Sequence, residues 1–197
     1  GSGRVIVPLL LAGSLLAACS GNDDAATVAA ATRALQVGDA GAAVTALKAL
    51  ADDREDDAVL VYDLACAHQG AGHDDEARKL FGQVLALGER SLRARTEVNL
   101  SLLDVSKLGA VCGGDPADAG ETVREEIRGL ADVALSRLQR ARDLDPSLAA
   151  AGAKQDVLAR WLRVLEDDWA AKDREARRSK RREKKGVAFM LALIQEQ

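Results

Sequence analysis

Cys66, His68, His73, Asp74 and Asp75 lie within ten positions of one another and include both histidines of the chain. A thiol beside an imidazole is the raw material of a nucleophile, and Cys, His and Asp together are the raw material of a zinc site. Spacing argues against both. Cys66 and His68 are two apart, which on a helix turns them about 200° from each other, so they cannot aim at one metal or one proton. No second Cys or His pair stands at ligand spacing elsewhere. The Gly113-Gly114 pair lacks the following Lys of a phosphate loop. The expectation is therefore a non-enzymatic chain with no catalytic residue, metal, cofactor or small-molecule substrate, in which His68 is a partly buried packing residue.

The segment that carries these residues, 59–87, reads as two amphipathic helices around a Gly-rich turn. Leu64, Ala65 and His68 share a face of the first; Ala77, Phe81 and Val84 follow at i, i+4, i+7 on the second. Gly72 marks the break, and Asp74 or Asp75 is placed to cap the second helix. Shifted back by 34 residues the pattern recurs: Gly38 for Gly72, Ala43 for Ala77, Leu47 for Phe81, Leu50 for Val84. A small, then a bulky, then an apolar residue on the second helix, at this period, resembles the tetratricopeptide repeat. That resemblance implies an all-α fold of stacked helical hairpins. His68 and the alanines Ala30, Ala31 and Ala34 depart from the family's aromatic pattern.

A third repeat is expected with an insertion at its turn. Val98, Asn99 and Leu102 match Leu64, Ala65 and His68, whereas the ending Ala134, Leu138, Ala141, Leu144, Asp145, Pro146 arrives 23 residues late. The extra residues read as longer helices and the loop 113–116, with Asp118 and Glu121 as a capping box. Val123, Ile127, Leu130, Ala134, Leu138 and Ala141 keep one stripe. A capping helix follows over 147–169, where Val157, Trp161, Leu165 and Trp169 recur every four residues beside Leu158 and Leu162. Both tryptophans read first as cover for the last repeat, and second as an aromatic patch for a partner. Aromatic residues make up only 3% of the chain, so the core must come from Ala and Leu.

Residues 1–19 read as an export signal: Arg4, an apolar run over 5–16, and small residues before a cut, too short for a spanning helix. Leu16, Ala17, Ala18 and Cys19 resemble the lipobox of bacterial lipoproteins, which implies acylation of Cys19 and a membrane-anchored, periplasm-facing chain of the bacterial envelope. Residues 20–24 read as a polar tether and 25–171 as the repeat domain. In an exported chain Cys66 and Cys112 can form a disulfide; two unpaired, mostly buried thiols is the reading preferred.

The charge is segregated. Residues 1–171 hold 27 acidic and 18 basic side chains, a net −9, whereas 172–185 hold nine basic and three acidic, a net +6. The basic stretch reads as a solvated linker or helix extension, with anionic lipid or an acidic partner as alternatives; nucleic acid is not expected of an acidic, exported chain. Gly186 is expected to break the helix, leaving 186–197 as a short amphipathic one with Val187, Met190, Leu191 and Ile194 on one face.

The residues 144–148, Trp161-Leu162, 165–169, Asp173-Arg174-Glu175 and the Arg/Lys-rich tail resemble the tetratricopeptide proteins of bacterial Bat-type aerotolerance clusters. That resemblance implies a scaffold beside MoxR-type ATPases and von Willebrand factor A domain proteins. Since the first helix of each pair faces inward in the repeat family, Tyr62, Cys66, Gln69, Thr96, Leu100 and Leu103 are expected to line a concave face that binds other envelope proteins. The alternative is an assembly lipoprotein, of the pilotin or outer-membrane assembly type.

Overall fold

The computed structural model describes residues 22–195, and the side-chain environments of 24–188. The lipobox residues Leu16, Ala17, Ala18 and Cys19 lie outside the described residues. Among the described residues every regular element is helical: α1 (Asn22–Gln36), α2 (Ala40–Asp52), α3 (Ala58–Gly70), α4 (Asp74–Leu87), α5 (Arg90–Cys112), α6 (Glu121–Leu144) and α7 (Ala149–Gln195), with a single 3-10 turn, Pro116–Asp118, before α6. The chain forms two compact units, Gly1–Thr96 and Glu97–Gln197. The boundary falls within α5.

In the first unit α1 packs on α2, α2 on α3, and α3 on α4. The 34-residue period is visible in the turns themselves. Gly38 and Gly72 both take positive φ, +83° and +77°. After α1, the Gly38 amide donates to the Leu35 carbonyl at 3.1 Å and the Asp39 amide to the Ala34 carbonyl at 2.8 Å. After α3, Gly72 donates to Gln69 at 3.1 Å and His73 to His68 at 2.9 Å. Each turn thus satisfies the last carbonyls of its helix in the same paired way, with a left-handed glycine at its centre. Beneath the turns Ala43, Leu47, Leu64, Ala65, Ala77 and Phe81 are all buried, as the repeat pattern requires.

The helix starts are built from aspartates. The Asp39 carboxylate accepts from the Ala42 amide at 3.0 Å, and Asp57 from the Val59 and Leu60 amides, both at 3.1 Å. At α4 the expected cap is corrected. His73 holds the capping position without a side-chain bond, and Asp74, Asp75 and Glu76 sit one step later, in the first turn. There they still complement the positive end of the helix dipole. Asn22, Asp23 and Asp24, expected in a tether, begin α1, and Asp24 pairs with Arg54.

The second unit departs from the short hairpins. α5 has 23 residues and α6 has 24, against 13 and 14 in α3 and α4. On α6, Ile127, Ala134, Leu138 and Ala141 are buried as expected, joined by Ala131. The capping box is not formed. Gly120 precedes α6 without a side-chain cap, while Asp118 ends the 3-10 turn and bonds Lys172. Pro146 is exposed in the turn before α7. The buried row of α7 is Leu158, Leu162, Leu165 and Trp169, whereas Val157 is 70% exposed. Strict steps of four drift about 40° each on a 3.6-residue helix, which carries Val157 off the core-facing line. Gly186 does not break the chain; α7 runs through it to Gln195.

An alanine at Gly38 or Gly72 meets no atom within 4 Å, so only backbone conformation opposes it. Each substitution should lower stability by about 1–2 kcal/mol. Gly82→Ala, in open space on α4, should raise it by about 0.5–1 kcal/mol. Urea midpoints of the three variants check the contrast.

Candidate partner-binding surface

The six residues expected to line a concave face do not form one accessible surface. Cys66, Thr96, Leu100 and Leu103 are buried, the last three between 0% and 4% exposed. Only Tyr62 and Gln69 stay partly accessible, and the Tyr62 ring leans on Phe81 with centroids 5.9 Å apart. The physical reason is local: in this alanine-rich core the inward residues of α3 and α5 are used for packing. Cys66 is buried and Cys112 partly so, and no disulfide joins the two; burial pushes the Cys112 thiol up, away from the reactive thiolate.

The histidines meet for a reason that spacing alone does not show. The tight turn at Gly72 reverses the chain, so that the Nδ1 atoms of His68 and His73 come within 3.3 Å. Burial lowers the His68 pKa, the neighbouring His73 adds to this, and Glu76 opposes it. Among the described residues no three His, Cys, Asp or Glu side chains are grouped to hold a metal. The pair therefore ties the end of α3 to the start of α4. On α3, Asp63 is the strongest electrostatic anomaly. Burial, then the charge of Asp57, raises its carboxyl from 3.8 to about 6.

In the second unit, charge is built into the α5–α6 contact. Glu97 accepts from Arg137 at 3.1 Å and from Arg140 at 2.9 Å, while Asp104 accepts from Arg137 at 2.8 Å. Both carboxylates are nearly buried, so the guanidinium of Arg137 offsets what their desolvation costs. The sequence signal is faint: two acids seven apart on a row that includes Ala94, Ser101 and Leu108.

Trp169 fixes α7. It is 1% exposed, its indole Nε1 donates to the Pro116 carbonyl at 2.8 Å, and the guanidiniums of Arg124 and Arg128 lie 5.4 and 4.9 Å from its ring. Arg124 also bonds Asp173, at 3.0 and 3.2 Å, and the Ala119 carbonyl at 2.8 Å. Of the two tryptophans, this one is the cover for the unit's core. Trp161 is half-buried and lies between Val157 and Val164, the latter 56% exposed. At i, i+4 and i+7 these three make an apolar stripe at the edge of the core, on which Trp161 itself packs in part. Beyond Trp169 no side chain through residue 188 is buried. No described helix is long and apolar enough to cross a membrane.

No family model matches the chain, and no curated protein does. Among solved structures, a mutant O-GlcNAc transferase from Thermobaculum terrenum aligns at TM-score 0.50 and 21% identity over 77% of this chain. The chain spans only 27% of that protein. The fold is tetratricopeptide-like. MamA from Desulfovibrio magneticus RS-1 aligns over 82% of this chain and 98% of its own at 22% identity and TM-score 0.39, and a MamA double mutant similarly at 21%.

Substitutions at two positions test this description of the tetratricopeptide-like units. Trp169→Ala should cost about 3–5 kcal/mol, and Trp169→Phe, which keeps the ring but loses the bond to Pro116, about 1–2 kcal/mol. A Trp169→Phe chain as stable as the native one would mean that the indole N–H contributes nothing. For Asp63, the folded chain holds its proton more tightly than the unfolded one, so stability falls as pH rises from about 4 to about 6. Asp63→Asn should therefore raise stability at pH 7 by about 1–3 kcal/mol and leave it nearly unchanged at pH 4. Denaturation at the two pH values measures the difference.

Proposed function

We propose that this chain is a non-catalytic scaffold that holds other proteins of the bacterial cell envelope, tethered to the membrane through lipidated Cys19. One observation carries the scaffold reading. The paired turns at Gly38 and Gly72, 34 residues apart, stand over equally buried Ala43–Leu47 and Ala77–Phe81 seams. Helical hairpins repeated in this way spend their apolar faces on one another, and what they leave outward is surface for partners. The stripe Val157, Trp161, Val164 supplies the apolar contact, with an aromatic ring at its centre, that protein interfaces favour.

The anchor rests on the sequence Leu16-Ala17-Ala18-Cys19, preceded by a basic residue and an apolar run. The narrower partner class, von Willebrand factor A domain proteins beside a MoxR-type ATPase, rests on the resemblance of residues 144–175 to the Bat-type proteins.

Capture of the full chain from cross-linked envelopes, read by mass spectrometry, tests the proposal. Envelope proteins should be enriched with the native chain and fall by roughly fivefold or more with Val157→Glu and Val164→Glu together. The same proteins recovered at the same level would remove the stripe from the reading. Enrichment of secretin or outer-membrane assembly components, in place of von Willebrand domain proteins, would favour the assembly lipoprotein. Fatty-acid labelling that persists in Cys19→Ser would contradict the anchor.

A further inference from the structure

The basic stretch of α7 is one-sided. The buried row Leu158, Leu162, Leu165, Trp169 marks the side of the helix that faces its unit. At about 100° per residue, that line continues through Ala176, Lys180, Glu183 and Val187, in which one base stands beside one acid. Apart from Lys172 and Lys180, the basic residues fall elsewhere. Arg174, Arg178, Arg181 and Lys185 follow at i, i+4, i+7 and i+11, which stacks them in one row on roughly the opposite side. Arg177 and Lys184 flank the row. All six are exposed. Lys172, nearer the core-facing line, is instead bonded to the Ala117 carbonyl and Asp118, and Asp173 is held by Arg124. The clamp at Trp169 therefore sets the rotation of the helix, and with it the direction in which the row points.

We propose that the row Arg174, Arg178, Arg181 and Lys185, flanked by Arg177 and Lys184, docks on an anionic lipid surface. Two features select lipid over another polyanion. The row is immediately followed in sequence by the apolar run 187–194, VAFMLALI. A bilayer interface takes both parts, headgroups for the charges and the acyl boundary for the apolar residues, whereas nucleic acid and acidic polypeptide have use for the first alone. The run is too short to span a bilayer. This proposal does not depend on which proteins the scaffold holds.

Vesicle co-sedimentation with the full chain carrying Cys19→Ser, so that no acyl chain contributes, tests it. The protein should bind phosphatidylcholine vesicles containing phosphatidylglycerol and not those of phosphatidylcholine alone. Each basic residue at such a surface contributes roughly fivefold in partitioning, so Arg174→Gln, Arg178→Gln, Arg181→Gln and Lys185→Gln together should weaken binding by more than about a hundredfold. An equal change in net charge placed on exposed residues of the first unit, Arg33, Lys48, Lys79 and Arg93 to Gln, should weaken it by less than about threefold at physiological salt. Met190→Gln with Leu193→Gln should weaken vesicle binding by about tenfold and leave binding to a single-stranded oligonucleotide or to polyglutamate unchanged. Circular dichroism confirms that each variant keeps its helicity. Equal vesicle binding by the row variant and the first-unit variant overturns the proposal. So does tighter binding to the oligonucleotide or to polyglutamate than to the anionic vesicles.

Discussion

The first unit depends on how closely its helices can approach, and that is set by two alanines. Ala43 and Ala77 have no exposed surface, and each lies one turn before a large residue, Leu47 or Phe81, that is as fully buried. A methyl group at the contact lets helix axes come to the short end of the usual 8–10 Å range. The larger neighbour then fills the space that the close approach opens beside it. With aromatic residues at 3% of the chain, no bulky alternative is available. The glycines at 38 and 72 serve the same end, because a reversal through a left-handed residue returns the chain in few residues and keeps the second helix against the first.

The second unit solves the same problem with different means. Its helices are longer, and length alone does not supply more large apolar side chains. Part of the contact between α5 and α6 is made by the guanidiniums of Arg137 and Arg140 on Glu97 and Asp104. Such groups stabilise less than apolar packing of equal volume, but they tolerate few alternative registers, because a shift by one turn leaves a carboxylate buried without its partner. At the far end Trp169 gathers the 3-10 turn, the start of α6 and α7 through one indole. The result is a unit whose alignment is specified by a few directional contacts, where the first is specified by repeated shape.

This difference explains what could be read from the sequence. The repeat period, the turn glycines and the buried seam are local regularities, so Gly38, Ala43, Leu47, Gly72, Ala77 and Phe81 all fell where their spacing placed them. The misplaced features depend on what is nearby in space. Gly186 reads as a breaker, yet one glycine costs a helix only about 1 kcal/mol, and α7 continues through it. Asp118 reads as a cap, but Lys172 takes its carboxylate. The concave face was placed by family geometry, whereas burial of Cys66, Thr96, Leu100 and Leu103 is decided by the packing of this chain. Nothing in a single sequence pairs Glu97 and Asp104 with arginines 33 to 43 positions away.

Two features work against stability, and they are the ones that packing does not explain. Asp63 is held in surroundings that raise its carboxyl to about 6, so at neutral pH the folded chain bears the cost of ionising it. On α7, Arg174 with Arg178, Arg178 with Arg182, Arg177 with Arg181, and Arg181 with Lys185 stand at i, i+4. Each like-charged pair disfavours the helix by about 0.2–0.5 kcal/mol, and Glu175 and Glu183 offset only part of the sum. A helix stabilised for its own sake would alternate its charges along that face. This one stacks four of them, Arg174, Arg178, Arg181 and Lys185, in one row beyond the last buried residue, Trp169. The part of the repulsion that the neighbouring acids leave is relieved when an opposing charge is brought to that side.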